Sequence, residues 1–174
     1  MIEAPALAFP PLEADERTML SSFLELYRVT LVRKAAGLTH EQLAKSLSPS
    51  TLTLGGLLKH MAIVEDDWFT SDMTGRDLPE PWASVDWESD RDWELNSAKD
   101  DTPEELLALF EAACARSRAV IDGCASLDQR SVKTNPDGNH FTLRWILVHM
   151  IEEYARHCGH ADLLRESIDG QRGS

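Results

Sequence analysis

The sequence predicts an all-α protein, a four-helix bundle, on three observations. Four stretches repeat apolar residues at three- and four-residue spacing over lengths that no ordinary strand reaches. Residues that start or stop helices flank these stretches. No segment alternates apolar and polar residues as a half-buried strand does, and no internal repeat competes.

Taken in order, residues 1–12 hold three prolines and read as an irregular arm over the surface. Ala14 to Ala36 forms the first helix, with Met19, Phe23, Leu26, Tyr27, Thr30 and Leu31 as its inner face and Gly37 as its stop. Thr39 to Leu47 suggests a short helix, with His40 in its solvated first turn. The second long helix spans about Leu52 to Asp72 and buries Leu54, Leu57, Met61, Val64 and Trp68. Glu65 falls on a flank, where exposure or partial burial is expected. Thr74 to Asp101 breaks the pattern with acids, prolines and Trp82, Trp87 and Trp93; Asp86 to Leu95 suggests a short helix within it. A connection this long is a crossover or a functional cover, and its tryptophans either clamp it to the bundle or roof a pocket.

Thr102-Pro103-Glu104-Glu105 is a capping box with proline at the first helical position, so the third long helix starts there and runs to Gly123. Ser126 to His140 is polar, with Asn135-Pro136-Asp137-Gly138 as a tight turn. Thr142 to Ile168 is the fourth helix. The long connection then makes the second and third helices run the same way, giving an up-down-down-up order. One domain is expected over residues 1–174.

Composition narrows the chemistry. A net charge of −13 without a basic patch opposes binding to nucleic acid. No run of 18 apolar residues and no leader pattern is present, so no membrane role is expected. Cys114, Cys124 and Cys158 lack metal-type spacing and fit reduced thiols. These features predict a cytoplasmic protein.

The fourth helix carries the chemical signal. At 100° per residue, Leu143, Ile146, Met150, His157, Ala161, Leu164 and Ile168 form one stripe, with Glu153 on its flank. Glu153 and His157 are four residues apart and so share a face, a two-ligand arm for a metal ion. A bundle supplies the third ligand from a facing helix, and His60 is the histidine available there. The candidate set is His60, Glu153 and His157 with an open fourth position, the pattern of catalytic zinc. Such ligands also accept nickel, iron or manganese. His149 is the rival ligand, and His160 is a further ligand or a donor behind one. The competing reading is a buried hydrogen-bonded network with His60 as a core histidine.

The segments TLGGLLKHMAIVEDDWF (53–69) and TLRWILVHMIEEYARHCGHADLLRESIDG (142–170) resemble the DinB-like superfamily, which includes thiol-dependent maleylpyruvate isomerases and thiol S-transferases. In the last helix the resemblance rests on His157, Gly159 and Leu164. Many members bind metal through three histidines; here Glu153 stands in the earlier of the two last-helix positions. The mycothiol-dependent branch is similar in having His, Glu and His. His160 stands where many relatives carry Gln. Asp162 and Arg165 belong to a GHADLLRE pattern of actinobacterial relatives and by themselves read as a helix-surface ion pair.

The resemblance implies a metal-dependent enzyme that uses a mycothiol-type thiol for S-transfer to, or isomerisation of, a small electrophile. No protein nucleophile is required. The alternative is a non-catalytic metal- or ligand-binding stress protein on the same scaffold. Trp145, Val148, Ile151, Ala155 and Leu163 form a second apolar side of the fourth helix, opposite the metal face. Either the arm with Phe9 and Leu12, or the tryptophan-bearing connection, covers it, or it meets a second subunit in a homodimer.

Overall fold

A computed structural model describes residues 1–173. The chain is mostly helical: α1 (Glu16–Ala35), α2 (His40–Leu43), α3 (Leu54–Glu65), α4 (Trp93–Ser97), α5 (Pro103–Gly123) and α6 (Leu143–Asp169). α1 packs on α6 and α3 on α5, while α3 also touches α1 and α6. The caps follow the residues expected to make them. Thr102 and Glu105 form a reciprocal capping box, Pro103 opens α5, Thr142 accepts from the backbone N–H of Trp145, and Gly170 ends α6 in the left-handed conformation.

Several expectations are corrected. The all-α reading misses a two-stranded antiparallel hairpin, β1 (Arg130–Thr134) and β2 (His140–Thr142), built around the turn at Asn135–Gly138. The hairpin packs closely on Gly75, where a Cβ would stand 2.6 Å from Val132 Cγ1. The second long helix changes pitch: after Glu65 it continues as a π-helix over Asp66–Met73. The wider turn shifts the phase, so Phe69, Thr70 and Met73 are buried while Trp68 is only partly covered. The short helices are His40–Leu43, rather than Thr39 to Leu47, and Trp93–Ser97, rather than Asp86 to Leu95. His40 is exposed as expected.

Charges inside the core explain the largest misplacements. The inner row of α1 is Leu24, Arg28, Leu31, Val32 and Ala35, and Phe23 is exposed. Glu65 is fully buried, because Arg28 Nε and Nη2 donate to its two oxygens at 2.7 and 2.6 Å and Tyr154 O–H donates to Oε1 at 2.6 Å. Arg165 is also buried: it donates to the carbonyls of Lys34 and Ala36 and so ties α6 to the end of α1. Asp162 pairs with Lys34 instead, at 2.5 Å.

The arm packs Ile2 against the far end of α1, where Gly37 N–H donates to its carbonyl. Phe9 and Leu12 are 78% and 98% exposed, so they cover nothing on α6. The connection is clamped by Trp82, which is buried and donates to Asp66 Oδ2 at 2.9 Å; Arg116 holds the same carboxylate. Trp93 sits on both Trp82 and Trp87, and Lys59 Nζ lies 4.4 Å from its ring centroid.

Candidate metal centre

α3 and α6 face each other, and their contact brings His60 to the Glu153–His157 arm. The donor atoms of the three residues all lie within 4.8 Å of one another. His157 Nε2 is 3.4 Å from Glu153 Oε2, and the rings of His60 and His157 are 4.9 Å apart at 65°. Their side chains are 25%, 16% and 13% exposed for His60, Glu153 and His157, so the cluster is half-buried with one side open.

The connection supplies a residue that sequence spacing did not reveal. Glu94, on α4, accepts from His60 Nδ1 at 2.9 Å and is itself buried. Donation from Nδ1–H leaves His60 Nε2 with its lone pair free, the form a ligand needs. The second oxygen of Glu94 is buried and has no partner among the described residues. The only available signal was an acid beside Trp93 in a segment that must pack somewhere.

Behind His157, His160 Nδ1 lies 3.5 Å from His157 Nδ1. A proton shared there leaves His157 Nε2 turned toward Glu153, so His160 is placed behind the cluster and outside it. Burial pushes the His157 imidazole down to about 4, with the nearby His60 and His160 adding to the effect. It is neutral at physiological pH. His149 belongs to a second grouping with Glu152 and Glu153, its Nε2 being 3.8 Å from Glu153 Oε1.

Two imidazoles and one carboxylate, close enough to share one ion and backed by Glu94, fit a divalent metal by donor chemistry and spacing. The cysteines do not join them. Cys114, Cys124 and Cys158 are buried, and burial raises each thiol, Cys158 up to about 12. None is a ready nucleophile.

Trp145 is placed differently from expectation. It lies off the core stripe of α6, but on the Glu153 side: its ring stacks on His149 at 4.9 Å, and Trp68 reaches both rings. No described helix is long and apolar enough to cross a membrane.

No curated protein matches the chain. A conserved protein of Enterococcus faecalis, known from a crystal structure, is similar in fold, with a TM-score of 0.64 at 19% identity over 91% of this chain and 100% of that one. The family model described as mycothiol-S-transferase matches residues 19–170, a span that holds His60, Glu94, Glu153 and His157. The chain belongs to that mycothiol S-transferase family, of DinB-like type.

Proposed function

We propose that the protein is a metal-dependent S-transferase or isomerase that presents a mycothiol-type thiol to a small electrophile. The observation that carries this reading is the convergence of His60, Glu153 and His157 with Glu94 behind His60. His60 Nε2, His157 Nε2 and one Glu153 oxygen would hold the ion, zinc first, with nickel, iron or manganese accommodated by the same donors. When bound, the ion supplies an electron-pair acceptor that favours the thiolate form of the cosubstrate.

The chain's own groups prepare that site. Glu94 fixes the tautomer of His60, burial keeps His157 unprotonated, and Glu153 contributes a negative charge on the open side. The cosubstrate sulfur forms the new bond to the electrophilic carbon, and the leaving group departs with the electron pair. Isomerisation results when the thiol adds and later leaves. The cysteines stay out of the reaction, since their thiols are buried and held protonated.

The same reading carries the architecture and setting. The close pairs α1–α6 and α3–α5, with a long connection between α3 and α5, support a single four-helix bundle in up-down-down-up order. A low-molecular-weight thiol and reduced cysteines suit the cytoplasm.

Elemental analysis of protein purified without a histidine tag tests the centre, and about one equivalent of a transition metal is expected. Turnover of a model electrophile with mycothiol, lost in His157→Ala, tests the reaction. Metal uptake without turnover favours the non-catalytic binding protein. No uptake on titration removes both.

A further inference from the structure

The row of side chains that carries the centre extends past it. Trp145, His149, Glu153 and His157 follow at four-residue intervals, so they stand one above another on α6. Trp145 lies eight residues from Glu153, about 12 Å along the helix axis. His149 bridges the interval, stacking on Trp145 and reaching Glu153 with Nε2.

Trp145 is 45% exposed, yet three rings hold it: His149 at 4.9 Å, Phe141 at 4.7 Å and Trp68 at 5.3 Å. A large aromatic is thereby locked in place while much of it faces water. Beside it lies a cleft of about 370 Å³ lined by Asn135, Asn139, His140, Phe141, Thr142 and Trp145. Its wall is polar. His140 Nδ1 bonds the Ser131 carbonyl, while His140 Nε2 and the side-chain amide of Asn139 have no partner among the described residues.

We infer that this shelf is a polyol subsite, which binds the ring portion of the thiol cosubstrate while its sulfur reaches the centre. The inference rests on the thiol-using reading above. Mycothiol is an N-acetylcysteine joined by an amide to a glucosamine–inositol pair, so it is neutral and its sulfur and its rings lie at opposite ends. An aromatic face takes the apolar side of a sugar ring, and convergent amide and imidazole groups take its hydroxyls.

Charge points to the same ligand class. Glu152 and Glu153 lie along the path, and their neighbour Arg156 is engaged by both. On a chain of net charge −13, a peptide thiol bearing free carboxylates is repelled, and a neutral polyol is not.

Calorimetry with S-methyl mycothiol and the neutral, ring-free S-methyl N-acetylcysteine methylamide on the metal-loaded protein tests the subsite. Trp145→Ala should weaken the first ligand by at least about tenfold and leave the second unchanged, as expected for a hot-spot aromatic. Trp145→Phe should restore most of the binding. Asn139→Ala, in an exposed turn, should weaken S-methyl mycothiol without affecting the fold. In turnover, Trp145→Ala should raise KM for mycothiol with kcat little changed.

Equal binding of S-methyl mycothiol by wild type and the variants overturns the subsite and leaves the thiol reading standing. No binding by wild type overturns both. A dimer in light scattering that Trp145→Glu dissociates gives Trp145 to a second subunit and also overturns the subsite.

Discussion

Glu65 and Tyr154 meet deep between α3 and α6; His60 and Glu153, on neighbouring turns of the same two helices, meet at the edge. The inner cluster is sealed. Arg28 from α1 donates twice to Glu65, Tyr154 donates once, and Cys114 from α5 places its sulfur 3.8 Å away. The outer cluster is looser: His60, Glu153 and His157 approach without bonding one another, and behind His60 the second oxygen of Glu94 is buried without a partner among the described residues. A satisfied network gives four helices one register. An unsatisfied one, half open to water, is where chemistry has room. Proximity in the sequence says little about which is which, since Glu153 and Tyr154 are adjacent.

The comparison breaks most visibly if the inner cluster is disrupted. Arg28→Met leaves Glu65 buried without its cation, and a loss of about 3–5 kcal/mol in denaturant unfolding is expected. Adding Glu65→Leu should recover much of it, because a matched apolar pair replaces the ions. A loss under about 1 kcal/mol, the scale of an exposed pair, would erase the distinction between the clusters.

The outer cluster should respond in the opposite way. Glu94→Gln keeps the shape but removes the charge that orients His60, so metal affinity in chelator competition should fall about 10–100-fold. Its thermal unfolding without metal should barely move. If affinity is unchanged and the metal-free protein melts earlier, Glu94 is a structural anchor only.

How much of this was legible follows the type of interaction. Glu153 and His157 were readable because four-residue spacing on one helix is local geometry. His60 was readable because few histidines lie within a long helix. Glu94 was not, since it stands 34 residues beyond His60 in a segment without periodicity. Arg28 and Glu65 misled for a related reason. Each charge interrupts an apolar stripe, so the periodicity of α1 finds Leu31 but turns Phe23 inward in place of Leu24 and Arg28, and it leaves Glu65 on an exposed or partly buried flank. Only the partner on another helix makes their burial affordable.

Beyond Glu65 the rule of 100° per residue fails outright, because the π-turn advances the chain by more residues per turn. The hairpin gave no alternation to read: four of the five residues of β1 are exposed, Val132 among them. Helix angle alone puts Trp145 opposite the metal face and does not show that a long ring leans along its row onto His149. The fold was thus legible where stripes are apolar and local, and the centre where its ligands share a helix.

The smallest expected effect concerns protons. In the unfolded chain His157 titrates near its ordinary value of 6.5, and in the fold burial holds it near 4. Between these values the unfolded state binds more protons than the native one, so stability rises with pH there. The contribution is complete above about pH 6.5 and is lost as pH falls toward 4. Tyr154 and Arg28 do not titrate in this window: burial pushes Tyr154 further up, and the downward pull of burial on Arg28 is outweighed by the Glu65 carboxylate, so Arg28 is raised. Metal-free protein should therefore lose stability on acidification through that window, and His157→Gln should flatten this part of the curve. The His157 ring proton signals, followed by NMR in the metal-free protein, should show a midpoint near 4. A midpoint near 6.5 would mean that water reaches His157 freely, and the edge cluster would then be a solvated surface, with no dry side for a ligand to complete.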